Sequence, residues 1–475
     1  MKMKAKGNII EYIKNCVLLM LFVCMLILAA SFIMQTQRLT LSPPSDISRE
    51  SLLVLKTGHN INVKYNQKLI YPAFIGYKTK NITPRGYITN EMIANIYPQL
   101  TDYIVEMLGS ESECSMITDD AETYWNEALK RDMYVYIKYH TEIPNVMLYA
   151  YLTDDYLIDT AKIASGDMVN IKEMLLLLEF SDAYTYEYEM LVRDSDGNAA
   201  RFDNIGTTEN ENKFSVEMFS TNVNNVYVNY EFAADNTAEY ANITLYDSTV
   251  VYKSDMSMRE IKIDRLISAD RNTEIVKLFN FNPARTDLSY KEDSGKTNVY
   301  VDAHGILKIN SDGNINYKYT ESDVNHGNYV YIYDYLSYNK NNSEYSIYEM
   351  ILAVNNFITT FQPDENIIFG DIYSEGSDII LEYYYCVNNI LLVDENYKPL
   401  TAYKFTITDN YFREVNINVL NIAQMGRKMN LQTEMTLTVF DKVMEESLKT
   451  DLELVYIVSD SELLCSPEYI MRAAK

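Results

Sequence analysis

The chain has 475 residues, enough for about three domains, and its 47% hydrophobic and 23% charged residues describe packed globular lobes. A formal net charge of −26, with no basic stripe to offset it, repels phosphates and excludes nucleic-acid binding as an expectation. Forty-two tyrosines against 15 glycines predict a strand-rich chain, because tyrosine suits half-buried sheet faces.

Residues 16–34, CVLLMLFVCMLILAASFIM, carry no charge. At 1.5 Å per residue they make roughly 29 Å of helix, the thickness of a bilayer's hydrocarbon core. A cleaved signal peptide has a shorter apolar run and a small-x-small cut site. Here Ala29, Ala30 and Ser31 run into the bulky Phe32, Ile33 and Met34, and Phe22 and Val23 spoil a lipobox before Cys24. The expectation is an uncleaved transmembrane helix. Lys2, Lys4, Lys6 and Lys14 precede it and only Arg38 follows closely, so residues 1–15 form a cytoplasmic tail and about 440 residues lie outside. Cys24, Leu28 and Ser31 share one helical stripe, where small residues admit a second membrane helix. Residues 35–49, with Pro43 and Pro44, read as a spacer.

The exterior part divides on pattern into three lobes, 50–165, 166–330 and 331–475. In the first, Ile93, Ile96, Tyr97, Leu100, Ile104 and Met107 repeat at three- and four-residue spacing and predict a helix over 90–108, with Pro98 inside it. A second helix is expected at 119–131 around Trp125, then strands at 133–140 and 145–153. In the β-rich central lobe, residues 184–192 alternate strictly and place Tyr184, Tyr186 and Tyr188 on one face. The tetrapeptide SDGN occurs twice, at 195–198 and 311–314, each time between alternating apolar residues, a strong hairpin signal. The last lobe carries helices at 346–361 and about 433–446. The first opens with Ser346 and Glu349 in capping-box spacing and buries Ile347, Met350, Ile351, Val354 and Phe357; the second presents Val439, Phe440 and Val443. Strands are expected at 378–387, 402–407, 412–420 and 452–458. The fold class is α+β: one N-terminal transmembrane helix, then a β-rich three-lobed ectodomain of antiparallel sheets with flanking helices.

Candidate chemistry is sparse. His304, in DAHG, reads as an exposed turn residue beside Asp302 and Gly305. His140 and Glu142 offer two metal ligands without a third, so a strand end before a turn is the expectation. Residues 194–198 begin like a calcium loop, but its twelfth position is Ile205 rather than glutamate, which favours a hairpin. Ser337 and Lys340 have the Ser-x-x-Lys spacing of acyl-transfer enzymes without its companion motifs. No phosphate-binding loop or nucleophile elbow occurs. Cys114, Cys386 and Cys465 are scattered and leave one disulfide open. No enzyme activity, metal or cofactor is expected. The tyrosine stripe allows a rival reading, a wall-facing protein that recognises glycan or peptide on tyrosine-rich sheets.

Layout and several segments resemble the YycH/YycI family of membrane-anchored accessory proteins of the WalK-type sensor histidine kinase in Gram-positive bacteria. A short lysine-bearing tail, one span and an exterior mixed α/β remainder are similar to that family. Residues 263–319, IDRLISADRN through INYKY, resemble its central stretch. IYEMILAVNNFI (347–358) resembles its C-terminal helix, and LELVYIVSDSELLCSPEYIM (452–471) its closing strands, with Tyr469 where tryptophan is usual. By length the chain is more similar to YycH. The resemblance implies no catalysis. It implies a single-pass regulator of cell-wall metabolism that contacts the kinase partly through transmembrane helices, alongside a paired YycH/YycI-type protein.

Overall fold

The computed structural model describes most of residues 70–473, leaving out chiefly 154–168, 181–185, 205–229, 233–242, 321–328, 337–344 and 441–447. The chain divides into two units at Tyr65/Asn66. The expected span at 16–34, with Cys24, Leu28 and Ser31, and the spacer at 35–49 lie outside the described residues, as do Tyr184, Ser337 and Lys340. No helix among the described residues is long and apolar enough to cross a membrane.

The first sheet is built from β1 (Pro72–Thr79), β2 (Ile82–Tyr87), β3 (Ser112–Ile117), β4 (Tyr134–Pro144), β5 (Asn170–Phe180), β6 (Tyr186–Arg193) and β7 (Ala199–Asn204). Their order is β2-β1-β4-β5-β6-β7-β3, all antiparallel. One face packs under α1 (Asn90–Leu108), whose Ile93, Ile96, Tyr97, Leu100, Ile104 and Met107 are all buried as their spacing requires. The other face holds Tyr134, Tyr136, Leu175 and Leu191 against Trp125 of α2 (Ala121–Ala128). Tyr230 and Phe232 of the short strand β8 (Tyr230–Phe232) complete that cluster. With both faces covered, β4 reads as a run of buried residues rather than an alternation.

Residues 145–153 correct an expectation: they form helix α3 (Asn145–Thr153), not a strand. Their tyrosines suit strands, but Met147, Leu148 and Ala150 are good helix formers, and all three are buried on a helical face.

Further strands are β9 (Ile243–Leu245), β10 (Val250–Tyr252), β11 (Met256–Asp264), β12 (Ser289–Glu292), β13 (Thr297–Asp302), β14 (Gly305–Asn310) and β15 (Asn314–Tyr319). After them come β16 (Ile367–Glu375), β17 (Asp378–Val387), β18 (Ile390–Val393), β19 (Thr401–Thr408) and β20 (Tyr411–Asn418). The chain closes with β21 (Asn421–Leu431), β22 (Leu448–Ile457), β23 (Leu464–Cys465) and β24 (Pro467–Ala473). Among the described residues, a large sheet runs β12-β13-β14-β15-β20-β19-β17-β18-β22-β24, with β16 on β17 and β9 on β22. Its pairs are antiparallel except β18–β22 and β9–β22, which are parallel. The sheets ignore the pattern-based boundaries. The first sheet continues past residue 165 to Asn204, and β15 joins β20 across residue 330.

Both SDGN segments are hairpin turns, with Gly197 and Gly313 at φ of 89° and 98°. Helix α4 (Asn272–Leu278) and helix α5 (Ile347–Phe361) cover one face of the large sheet. The expected capping box is formed: Ser346 N donates to Glu349 Oε2 at 2.7 Å, and Glu349 N to Ser346 Oγ at 3.3 Å. Phe357 of α5 meets Phe405 at 5.2 Å and Phe412 at 5.8 Å between ring centroids, and Phe279 just after α4 stacks on Tyr317 at 5.1 Å. Ile347, expected to be buried, is only half-buried. Of the helix expected at about 433–446, only 436, 437 and 440 are described as helical.

Candidate functional site

His140 lies within β4 and meets two groups from the β17–β18 corner. Its Nε2 is 3.1 Å from Asn389 Oδ1 and 3.6 Å from Cys386 Sγ. A cysteine, a histidine and an asparagine together raise the question of nucleophilic catalysis. The hydrogen bonds answer it. Asn389 Nδ2 donates to the carbonyls of Pro72 and Ala73, each at 2.7 Å, so Oδ1 faces the ring as an acceptor. Nε2 must therefore carry the proton and donates it to Asn389. The nitrogen beside Cys386 has no lone pair to take a thiol proton. Burial lowers the His140 pKa to about 4 and raises that of the Cys386 thiol, so both groups are neutral at pH 7. Glu142 points elsewhere, accepting from Ser195 N at 2.8 Å. The cluster clamps β1 and β4 to the β17–β18 turn, where Asn388 and Asn389 both have positive φ.

His304 is a correction. It lies in the turn between β13 and β14, as expected, but is fully buried rather than exposed. Its ring packs 4.4 Å from Phe281, and Nε2 donates to the Phe279 carbonyl at 3.2 Å. Burial lowers its pKa, and it serves as a core plug holding the end of α4.

A second cross-link joins the two sheets. Lys138 Nζ of β4 lies 2.6 Å from Asp451 Oδ2 of β22 and 3.8 Å from Glu173 Oε1 of β5. Glu173 pairs in turn with Arg193, whose guanidinium lies 4.6 Å from the Trp125 ring centre. Thr249 Oγ1 donates to Asp451 Oδ1 at 2.9 Å. Burial disfavours both charges of the Lys138–Asp451 pair, but their attraction wins, raising the lysine pKa and lowering the aspartate's. Local sequence pattern carries no signal of this network, because Lys138 and Asp451 are 313 residues apart. No group of three or more metal-ligating side chains occurs among the described residues. The Asp194 carboxylate, where a calcium loop would begin, instead accepts from the backbone N–H of Asp196 and Asn198 within its own turn. No disulfide joins Cys114, Cys386 and Cys465 to one another.

The face of the large sheet opposite α5 is different in kind. Register places Lys308, Asn316, Asn416, Lys404, Glu382 and Asp371 side by side across six strands. Asn316 Nδ2 donates to Asn416 Oδ1, and Asn416 Nδ2 to Glu414 Oε1 at 2.9 Å. Lys404 Nζ donates to Glu382 Oε1 and to the Tyr373 hydroxyl, both at 2.8 Å, and Tyr384 OH donates to Glu382 Oε2 at 3.2 Å. Asp371 is exposed and the rest of the row is half-buried. This is the solvated side of an antiparallel sheet, on which period-two alternation through 314–319 places Asn316 and Lys318 opposite Ile315 and Tyr317.

Of the expected tyrosine stripe, β6 carries Tyr186 opposite Phe180 and Tyr188 opposite Leu178 in backbone register. A tyrosine cluster forms elsewhere, where Tyr319 meets Tyr411 at 5.0 Å and Tyr329 at 5.4 Å. No protein-family model, curated protein or solved structure matches the chain.

Proposed function

We propose that the chain is a non-catalytic, membrane-anchored extracytoplasmic module. More particularly, we read it as a YycH/YycI-type regulator, more YycH-like by length, that biases a WalK-type sensor histidine kinase and so cell-wall metabolism. The observation that carries this reading is the charge-free run at 16–34 with lysines before it and a large β-rich remainder after it. The neutral, hydrogen-bonded states of His140 and His304 support a non-catalytic role. Cys24, Leu28 and Ser31 would pack against a kinase membrane helix, and the exterior part would contact the kinase ectodomain or a paired YycH/YycI-type protein. Such a partner shifts the kinase only by binding its two signalling states unequally.

The test is co-purification of the full chain with the kinase from membranes, with and without Ser31→Phe. Retention of the kinase by the native chain and its loss in the variant support the reading. A secreted form beginning near Phe32, or no kinase retained by the native chain, overturns it.

A further inference from the structure

A cavity of about 10 Å³, the room one water molecule needs, lies beside the His140 clamp. Ile143, Ile368 and Phe369 give it apolar walls, and Tyr71, Tyr139 and His140 give it polar ones. The tyrosine hydroxyls around it carry more protons than they can place. Tyr97 of α1 and Tyr139 of β4 are 3% and 1% exposed, and their hydroxyls bond to each other at 3.0 Å. One proton serves that bond, and the second has no acceptor among the described residues. The Tyr71 hydroxyl, just before β1, is buried and has no hydrogen-bond partner among the described residues. Its ring packs edge-on against Tyr97, 5.8 Å between centroids. Burial pushes the Tyr71 pKa up to about 12 and raises those of Tyr97 and Tyr139, so all three keep their protons at pH 7. Two O–H donors are therefore left over on the tyrosine side. On the histidine side the remainder is an acceptor. His140 Nε2 carries the ring proton and turns toward Asn389 and Cys386, neither of which lines the cavity. Nδ1 is the other polar atom of the ring, and it holds a lone pair. Water accepts two hydrogens and donates two, which matches this remainder; an ammonium ion cannot accept and a halide cannot donate.

We propose that this cavity binds one structural water, which accepts from the Tyr71 and Tyr139 hydroxyls and donates to His140 Nδ1, while Tyr97 donates to Tyr139. Three hydrogen bonds are the usual number for a buried water. The bridge ties the segment before β1 to β4 at the Asn389 clamp. It is independent of the kinase reading: either stands if the other fails.

The experiment is NMR of the full chain in detergent micelles with isotope-labelled histidine, where only four side chains report. The His140 signals are those that vanish in His140→Gln. Magnetisation transfer from a long-lived water to the His140 ring is expected, with Nδ1 resonating as an unprotonated, hydrogen-bonded nitrogen. Tyr71→Phe keeps the ring, removes one donor and should weaken retention of the water about tenfold, as loss of one hydrogen bond implies. Should that variant lower the melting temperature, Tyr139→Phe removes the other donor and should weaken the same water equally. Tyr124→Phe, which deletes a hydroxyl bonded to Glu189 instead, leaves the transfer unchanged. No transfer from water to the His140 ring, a protonated Nδ1, or transfer undiminished in Tyr71→Phe or in Tyr139→Phe overturns the proposal.

Discussion

Lys138 and Asp451, 313 residues apart in sequence, approach to 2.6 Å and tie the first sheet to β22 of the large one. Both side chains are mostly shielded, at 15% and 21% exposure, so each needs the other to remain charged. Lys138→Met or Asp451→Asn alone should cost about 3 kcal/mol, because each leaves a poorly solvated partner. The double variant Lys138→Met/Asp451→Asn should cost clearly less than the sum. Thermal melts of all three against the native chain provide the measurement, and additive losses would argue against coupling.

His140 makes stability depend on pH in a defined window. Its pKa of about 4 in the folded chain lies below the ordinary value of 6.5. Between those values the unfolded chain binds more protons, so stability falls as pH drops from 6.5 toward 4, by about 3 kcal/mol when complete. His304, also lowered by burial, adds a loss that begins at the same upper edge. Asp451 is lowered from 3.8 and so contributes stability that is lost only at more acidic pH. His140→Gln should flatten the melting-temperature profile between pH 6.5 and 4 relative to the native chain. An unchanged profile would contradict the assignment of a buried, neutral imidazole.

The two SDGN turns share a sequence but not an environment. A Cβ on Gly197 would meet nothing within 4 Å, whereas one on Gly313 would sit 2.6 Å from the Val419 carbonyl oxygen. Gly197→Ala should therefore cost only the left-handed backbone penalty, about 1–2 kcal/mol. Gly313→Ala adds a backbone collision and should cost at least about twice that. Paired thermal melts decide it, and equal losses would mean that the β15–β20 junction yields more readily than its packing implies.

Phe357 sits where α5 meets the sheet, in ring contact with Phe279, Tyr335, Phe405 and Phe412. Phe357→Ala should destabilise by about 4 kcal/mol, while Phe357→Leu, which refills most of the space, should cost less than half as much. Urea midpoints test the ranking.

The sequence by itself determined whatever depends on neighbours within a few residues. The α1 stripe from Ile93 to Met107, the Ser346–Glu349 box, both SDGN hairpins and the polar alternation of Asn316 and Lys318 follow from helical or strand periodicity and local hydrogen bonding. Where local signals competed, they misled. The tyrosines of 145–153 argued for a strand, but the segment turns as α3 because burying Met147, Leu148 and Ala150 on one helical side outweighs a weak strand preference. Tertiary structure alone decided that His304 is a core plug, that Asn389 fixes the proton on His140, and that Lys138 finds Asp451. Each depends on which distant strand lies alongside, and that pairing is set by the summed burial of whole sheets rather than by any short stretch of chain.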